Sequence, residues 1–187
     1  MNSSINAQRQ VLGLLESHLQ RAQGNFEAVE LFRSFAVGHL DCCERTLKIG
    51  HFTGSAWLVS ADGQRALLTH LRKLNRWLQL GGHADGEGDL AAVALREAQE
   101  ESGLDGLAVD VEIFDLDRHF IPERGAEPGH WHYDVRFVVR ASEDERFVVN
   151  EESHDLAWRR VDEIAADPQA DESLRRMARK WLARPTL

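Results

Sequence analysis

Three glutamates, Glu97, Glu100 and Glu101, stand at helical spacing in a segment that opens with Gly81 and Gly82 and closes with Gly103. At about 100° per residue they occupy an arc of roughly 100°. Ala91, Ala94, Leu95 and Ala98 fill the opposite face, so a helix divided this way must lie with its small apolar side on a sheet. Asp89 is the expected N-cap and Gly103 the expected stop, which predicts a helix over 90–102. Like charges one turn apart repel by roughly a few tenths of a kcal/mol, and the stripe becomes favourable once a hard divalent cation sits among the oxygens. Carboxylates and water suit magnesium or manganese, whereas zinc prefers histidine or thiolate. Arg96, one turn before Glu100, is expected to hold it by an ion pair. The double glycine is expected to form a tight loop whose carbonyls approach the same metal.

The remaining pattern surrounds this helix with strands. Residues 5–23 read as an amphipathic helix, with Ser3 or Ser4 as cap and Val11, Leu12, Leu15 and Leu19 inward, and Asn25 is placed to cap a second helix ending near Gly38. Strands are expected over 52–60 and 65–70, joined as a hairpin by Ala61-Asp-Gly-Gln64, and then over 77–80, 107–116, 130–141, 146–149 and 156–161. A last helix is expected over 172–183, burying Leu174, Met177, Trp181 and Leu182. Strands and helices mix without βαβ alternation, which favours an α/β sandwich built on a mixed sheet. Residues 1–47 form a helical extension and 48–187 the main domain.

Set in register, Gly82, Arg96, Glu97, Glu100, Glu101, Gly103 and Leu104 resemble the Nudix box, G-x(5)-E-x(7)-R-E-U-x-E-E-x-G-U, with U a bulky aliphatic residue. At ordinary residue frequencies the R-E-x-x-E-E-x-G part arises by chance on the order of once per million registers. Two positions depart from the box: Ala98 is small, and its first glutamate falls on Gly88, where Glu87 or Asp89 is expected to substitute. The resemblance implies a Nudix-type α/β/α sandwich and Mg²⁺-dependent hydrolysis (Mn²⁺ serving as well) of a phosphoanhydride in a nucleoside diphosphate-linked small molecule. It implies Glu97, Glu100, Glu101 and the Gly81 carbonyl as metal ligands, with Glu100 and Arg96 in the catalytic apparatus. Glu152, in the acidic stretch before the strand containing Trp158, is the candidate general base. His83, Lys73, Arg76 and His132 are candidate substrate contacts. His130, His132 and Asp134 alternate and so share one strand face, where they could bind zinc or substrate.

Substrate markers outside the box are absent: Pro122 lies too far past Leu104 for the ADP-ribose branch, and the only tyrosine, Tyr133, does not fit the diadenosine polyphosphate branch. A nucleotide-sensing domain without activity and an isopentenyl diphosphate isomerase-like enzyme are the rival classes; three intact glutamates oppose the first, and Cys42 and Cys43, which precede the core strands, oppose the second. The net charge of −9 argues against long nucleic acid as partner. No apolar run is long enough to span a bilayer and no secretory signal follows Met1, so a cytoplasmic location is expected. The adjacent cysteines are expected to be reduced and structural. The terminal helices are left to shape specificity or a homodimer interface.

Overall fold

The computed structural model describes residues 2–21, 26–71, 76–148 and 155–184. In chain order the elements are α1 (Asn2–Arg21), α2 (Phe26–Gly38), β1 (Gly50–Val59), β2 (Arg65–Leu71), β3 (Arg76–Leu78), β4 (Leu80–His83), α3 (Leu90–Ser102), β5 (Ala108–Ile121), β6 (His130–Arg140), β7 (Leu156–Arg160), α4 (Val161–Ala166) and α5 (Glu172–Leu182). One mixed sheet runs β3-β2-β1-β6-β5, with β4 pairing β1 and β7 pairing β2. The long parallel pair β1·β6, in register from Gly50↔Trp131 to Val59↔Arg140, forms its centre. Among the described residues no helix is long and apolar enough to cross a membrane.

β1 is buried along its whole length, so both of its faces are covered, as expected for a strand in a parallel pair. Phe52 packs with Val11, Leu15, Val29 and Phe32 of α1 and α2 and with Leu90, Val93 and Ala94 of α3. Further along that face, Ala56 and Leu58 meet Ala98. On the opposite face Trp57 and Val59 pack on Leu174, Met177 and Ala178 of α5. The first two helices thus share one core with the sheet. Gly54 lets α3 come close: a Cβ there would stand 2.7 Å from the Leu90 carbonyl oxygen and 2.9 Å from Val93.

The α5 face of the sheet turns polar toward the start of β1. His51, Thr53 and Ser55 alternate with the apolar residues and are buried. Beside them on β6, Asp134 accepts hydrogen bonds from Thr53 Oγ1 at 2.9 Å, Ser55 Oγ at 2.7 Å and Gln79 Nε2 at 3.2 Å. Arg136, only 2 % exposed, places Nε 2.7 Å from Asp134 and its terminal nitrogens 3.7 Å from Asp115 and 3.3 Å from Asp117. Register shifts in β5 between Val109 and Asp115 turn these aspartates onto that face. Arg176 of α5 then reaches both of them, at 2.6 and 2.9 Å.

Several expectations are corrected. The double glycine is strand and not loop: Gly81 and Gly82 pair with Ser55 and Gly54. Residues 144–148 form no strand; Val148 N–H donates to the Ser102 carbonyl at 2.8 Å and the Glu145 carbonyl accepts from Trp158 Nε1 at 3.0 Å, so the segment crosses the end of α3. Leu182 is exposed, unlike Leu174 and Met177. Ser3 and Ser4 lie within α1, and α4 was not anticipated.

Breaking a buried ion cluster by removing one partner typically costs about 3–5 kcal/mol, so Arg136→Met is expected to lose that much in urea unfolding; retention of wild-type stability would show the cluster to be dispensable. Burial alone would raise the Asp117 carboxyl, but its hydrogen bond from His119 and the charges of Arg136 and Arg176 outweigh that and hold it well below the usual range. Its stabilising contribution is complete above its unfolded value, about 4, and is lost as pH falls toward the folded value. The unfolding midpoint should therefore drop below about pH 4, more gently in Arg136→Met than in the wild type.

Candidate active site

The carboxylate helix is set by its ends and by its distance from β4. Asp89 caps it, accepting from Ala92 N–H at 3.1 Å, and Gly103 stops it in the left-handed conformation with φ 66°. Leu90, Ala91, Ala94 and Ala98 are buried, while Glu100 is exposed and Glu97 and Glu101 are half-buried. Glu101 is fixed to the sheet, where Gly81 N–H donates to its Oε1 at 2.8 Å. Glu97 lies over Gly82 so closely that a Cβ there would stand 2.4 Å from its carboxylate. At Gly81 a Cβ would meet Ser55 Oγ at 2.2 Å. Gly82 is therefore where helix and sheet come too near for a side chain, and Gly81 where β4 and β1 do.

Arg96 was expected on Glu100; its guanidinium donates to Glu97 Oε1 at 2.9 Å and to the His83 carbonyl at 3.2 Å, tying the helix to the end of β4. Arg45, unremarked in the sequence, forms a bidentate pair with Asp85, which holds the Asp85 carboxyl below its ordinary value. An open cleft of about 590 Å³ is lined by Arg45, Asp85, Glu87, Arg96, Glu97 and Glu100. Its carboxylates together with the two guanidiniums suit a divalent cation carrying phosphate. The donor set of three carboxylates is all oxygen, as a hard cation requires.

The box departure at Gly88 has a steric cause. A Cβ there would lie 2.4 Å from Ala7 Cα and 2.5 Å from the Ala7 carbonyl oxygen, so α1 occupies the place of the missing side chain. Asp89 serves as cap, as expected, and Glu87 Oε1 accepts from the Asp89 N–H at 2.9 Å.

The remaining candidates divide. Glu152 and Lys73 lie outside the described residues. Arg76 is on β3, 3.7 Å from Asp171, and lines a different cavity with Trp77 and Arg159. His83 and His132 come together, with ring centroids 5.1 Å apart, and both meet His51 at 5.0 and 4.9 Å. The face shared by His130, His132 and Asp134 is present, but Asp134 belongs to Arg136 and His51 joins the histidines instead. Burial pushes His51 down to about 4, and its neighbours His83 and His130 add to the effect. Burial likewise lowers His83 and His132. Both ring nitrogens of His51 are buried without a hydrogen-bond partner among the described residues; such groups cost about 1–3 kcal/mol each. The Leu47 carbonyl is near enough to favour the charged ring slightly but lies outside hydrogen-bond geometry.

The NUDIX domain profile matches residues 51–181. No curated protein sequence matches the chain. Among solved structures, a MutT protein from Methanosarcina mazei Go1 is similar at 16 % identity over 72 % of this chain and 94 % of its own, with a TM-score of 0.57. The Nudix hydrolase RenU from M. smegmatis is 22 % identical over 74 % and 90 %, with a TM-score of 0.53. A UDP-X diphosphatase is 15 % identical over 95 % of this chain and 93 % of its own, also at 0.53.

Restoring the consensus glutamate at position 88 should harm the fold: overpacking against α1 is expected to cost about 1–3 kcal/mol in Gly88→Glu, read from the urea midpoint. A variant as stable as the wild type would show that α1 yields its place freely.

Proposed function

The chain belongs to the NUDIX family, and from that premise we propose that it hydrolyses a phosphoanhydride bond in a small nucleoside diphosphate-linked compound, using Mg²⁺ or Mn²⁺. The observation that carries this reading is the fixed set of three glutamates: Glu101 anchored by the Gly81 N–H, Glu97 held by Arg96, and Glu100 open to the same cleft. An inactive sensor would have no need of all three. The solved structures named above include a UDP-X diphosphatase whose similarity extends over the N-terminal helices, and UDP-linked compounds are therefore the first to try.

In this reading Glu97, Glu100 and Glu101 hold the cation, with the Gly81 carbonyl as a further ligand. The bound cation supplies positive charge to the phosphates and acidifies water. Arg96 fixes the direction in which Glu97 presents its oxygens. Glu152 takes the proton from the attacking water as its oxygen bonds to phosphorus, the bridging P–O bond breaks, and a nucleoside monophosphate leaves beside a phosphorylated product. As substrate contacts, His83 and His132 beside His51 on the α5 face of the sheet and Arg76 in its separate cavity have the weaker case.

Untagged protein is to be incubated with Mg²⁺ and sugar nucleotides, dinucleotides, ADP-ribose and nucleoside triphosphates, with products separated by anion exchange. Cleavage is expected in the wild type and not in Glu100→Gln/Glu101→Gln; equal turnover by both would remove α3 from the chemistry. Glu152→Gln is expected to lower turnover about 10²-fold or more with little change in cation affinity, and near-normal turnover would remove it as the base.

A further inference from the structure

Five histidines gather at the polar end of the α5 face, and the carboxylate chemistry uses none of them as a metal ligand. His51 comes from β1, His83 from β4, His119 from β5, and His130 and His132 from β6. His51, His83 and His132 can each offer one ligand atom within 4.8 Å of the others. We propose that these three form a site for one borderline divalent transition-metal ion, zinc above all, separate from the carboxylate site on α3. Neutral imidazole is the ligand type such ions select, and three of them leave a coordination position open to water or an anionic oxygen. Nitrogens bound tetrahedrally at about 2.0–2.1 Å lie about 3.3 Å apart, so modest ring rotations close the set.

Two further observations point to a ligand here. His51 is 2 % exposed, yet neither ring nitrogen has a hydrogen-bond partner among the described residues; a metal would engage one, and a small turn would bring the other to the Leu47 carbonyl. His132 is set up by a relay. The Pro128 carbonyl can only accept, so His130 Nδ1, 2.9 Å away, carries the proton. In the neutral ring His130 Nε2 is then an acceptor, and His132 Nε2 at 3.1 Å must donate to it. That leaves His132 Nδ1 with the lone pair. A ligand histidine whose other nitrogen donates to a fixed acceptor is the arrangement that raises metal affinity. His130 is a positioning residue in this scheme.

The site is tested on untagged, chelator-treated protein titrated with Zn²⁺ by calorimetry, and with Co²⁺ by visible absorption, in the presence of excess Mg²⁺. One Zn²⁺ per chain is expected in the wild type and in Glu100→Gln/Glu101→Gln alike. His132→Gln should weaken it by about 100-fold or more, and His130→Gln by about 10–100-fold. Circular dichroism confirms the fold of each variant; should His132→Gln not fold, the half-buried His83→Gln replaces it. Absence of stoichiometric uptake by the wild type would overturn the proposal. So would uptake that disappears with Glu100 and Glu101 but survives loss of His132 or His83.

Discussion

The buried Arg136 guanidinium is the constraint around which the α5 face of the sheet is arranged. A charge at 2 % exposure is tolerable only with counter-charges, and Asp115, Asp117 and Asp134 supply them from β5 and β6. Asp134 extends the cluster sideways to Thr53, Ser55 and Gln79, which fixes β1 and the junction between β3 and β4. Arg176 extends it upward into α5. The network therefore holds in place the strand on which the carboxylate helix rests.

From there the site is a matter of distance. Helix α3 lies near enough to β1 and β4 that Gly54 and Gly82 have no room for a methyl group. The same nearness lets a backbone N–H hold Glu101 and lays Glu97 across Gly82. Tight packing on the apolar side of the helix thus becomes precise placement of charge on its polar side.

The sequence was most informative where structure is local. Asp89, Gly103 and the alanine stripe are within one helix of each other, and the predicted span of 90–102 is the observed one. The glutamate stripe was legible for the same reason, and the box supplied the family. What stayed hidden depends on contacts across long separations: Arg45 with Asp85, His51 with His83 and His132, and Asp134 with Thr53. Arg96 could be assigned a partner on its own helix but not the His83 carbonyl, which only the fold of β4 brings near. Residues 146–148 alternate like a strand, yet a strand needs an edge to pair with, and their hydrogen bonds go to the end of α3 instead.

The contact of Ala7 with Gly88 changes what the first helix is. In sequence it precedes the box and looks detachable, but its backbone fills the volume next to the cap of α3 that the family consensus gives to a glutamate side chain. The two solutions exclude each other in space. A chain that keeps this helix must keep glycine at 88, and a chain without it would expose a gap beside Asp89. The departure from the box is thus the imprint of α1, written some eighty residues away from it, and the helix is a neighbour of the α3 cap tied to that single missing side chain.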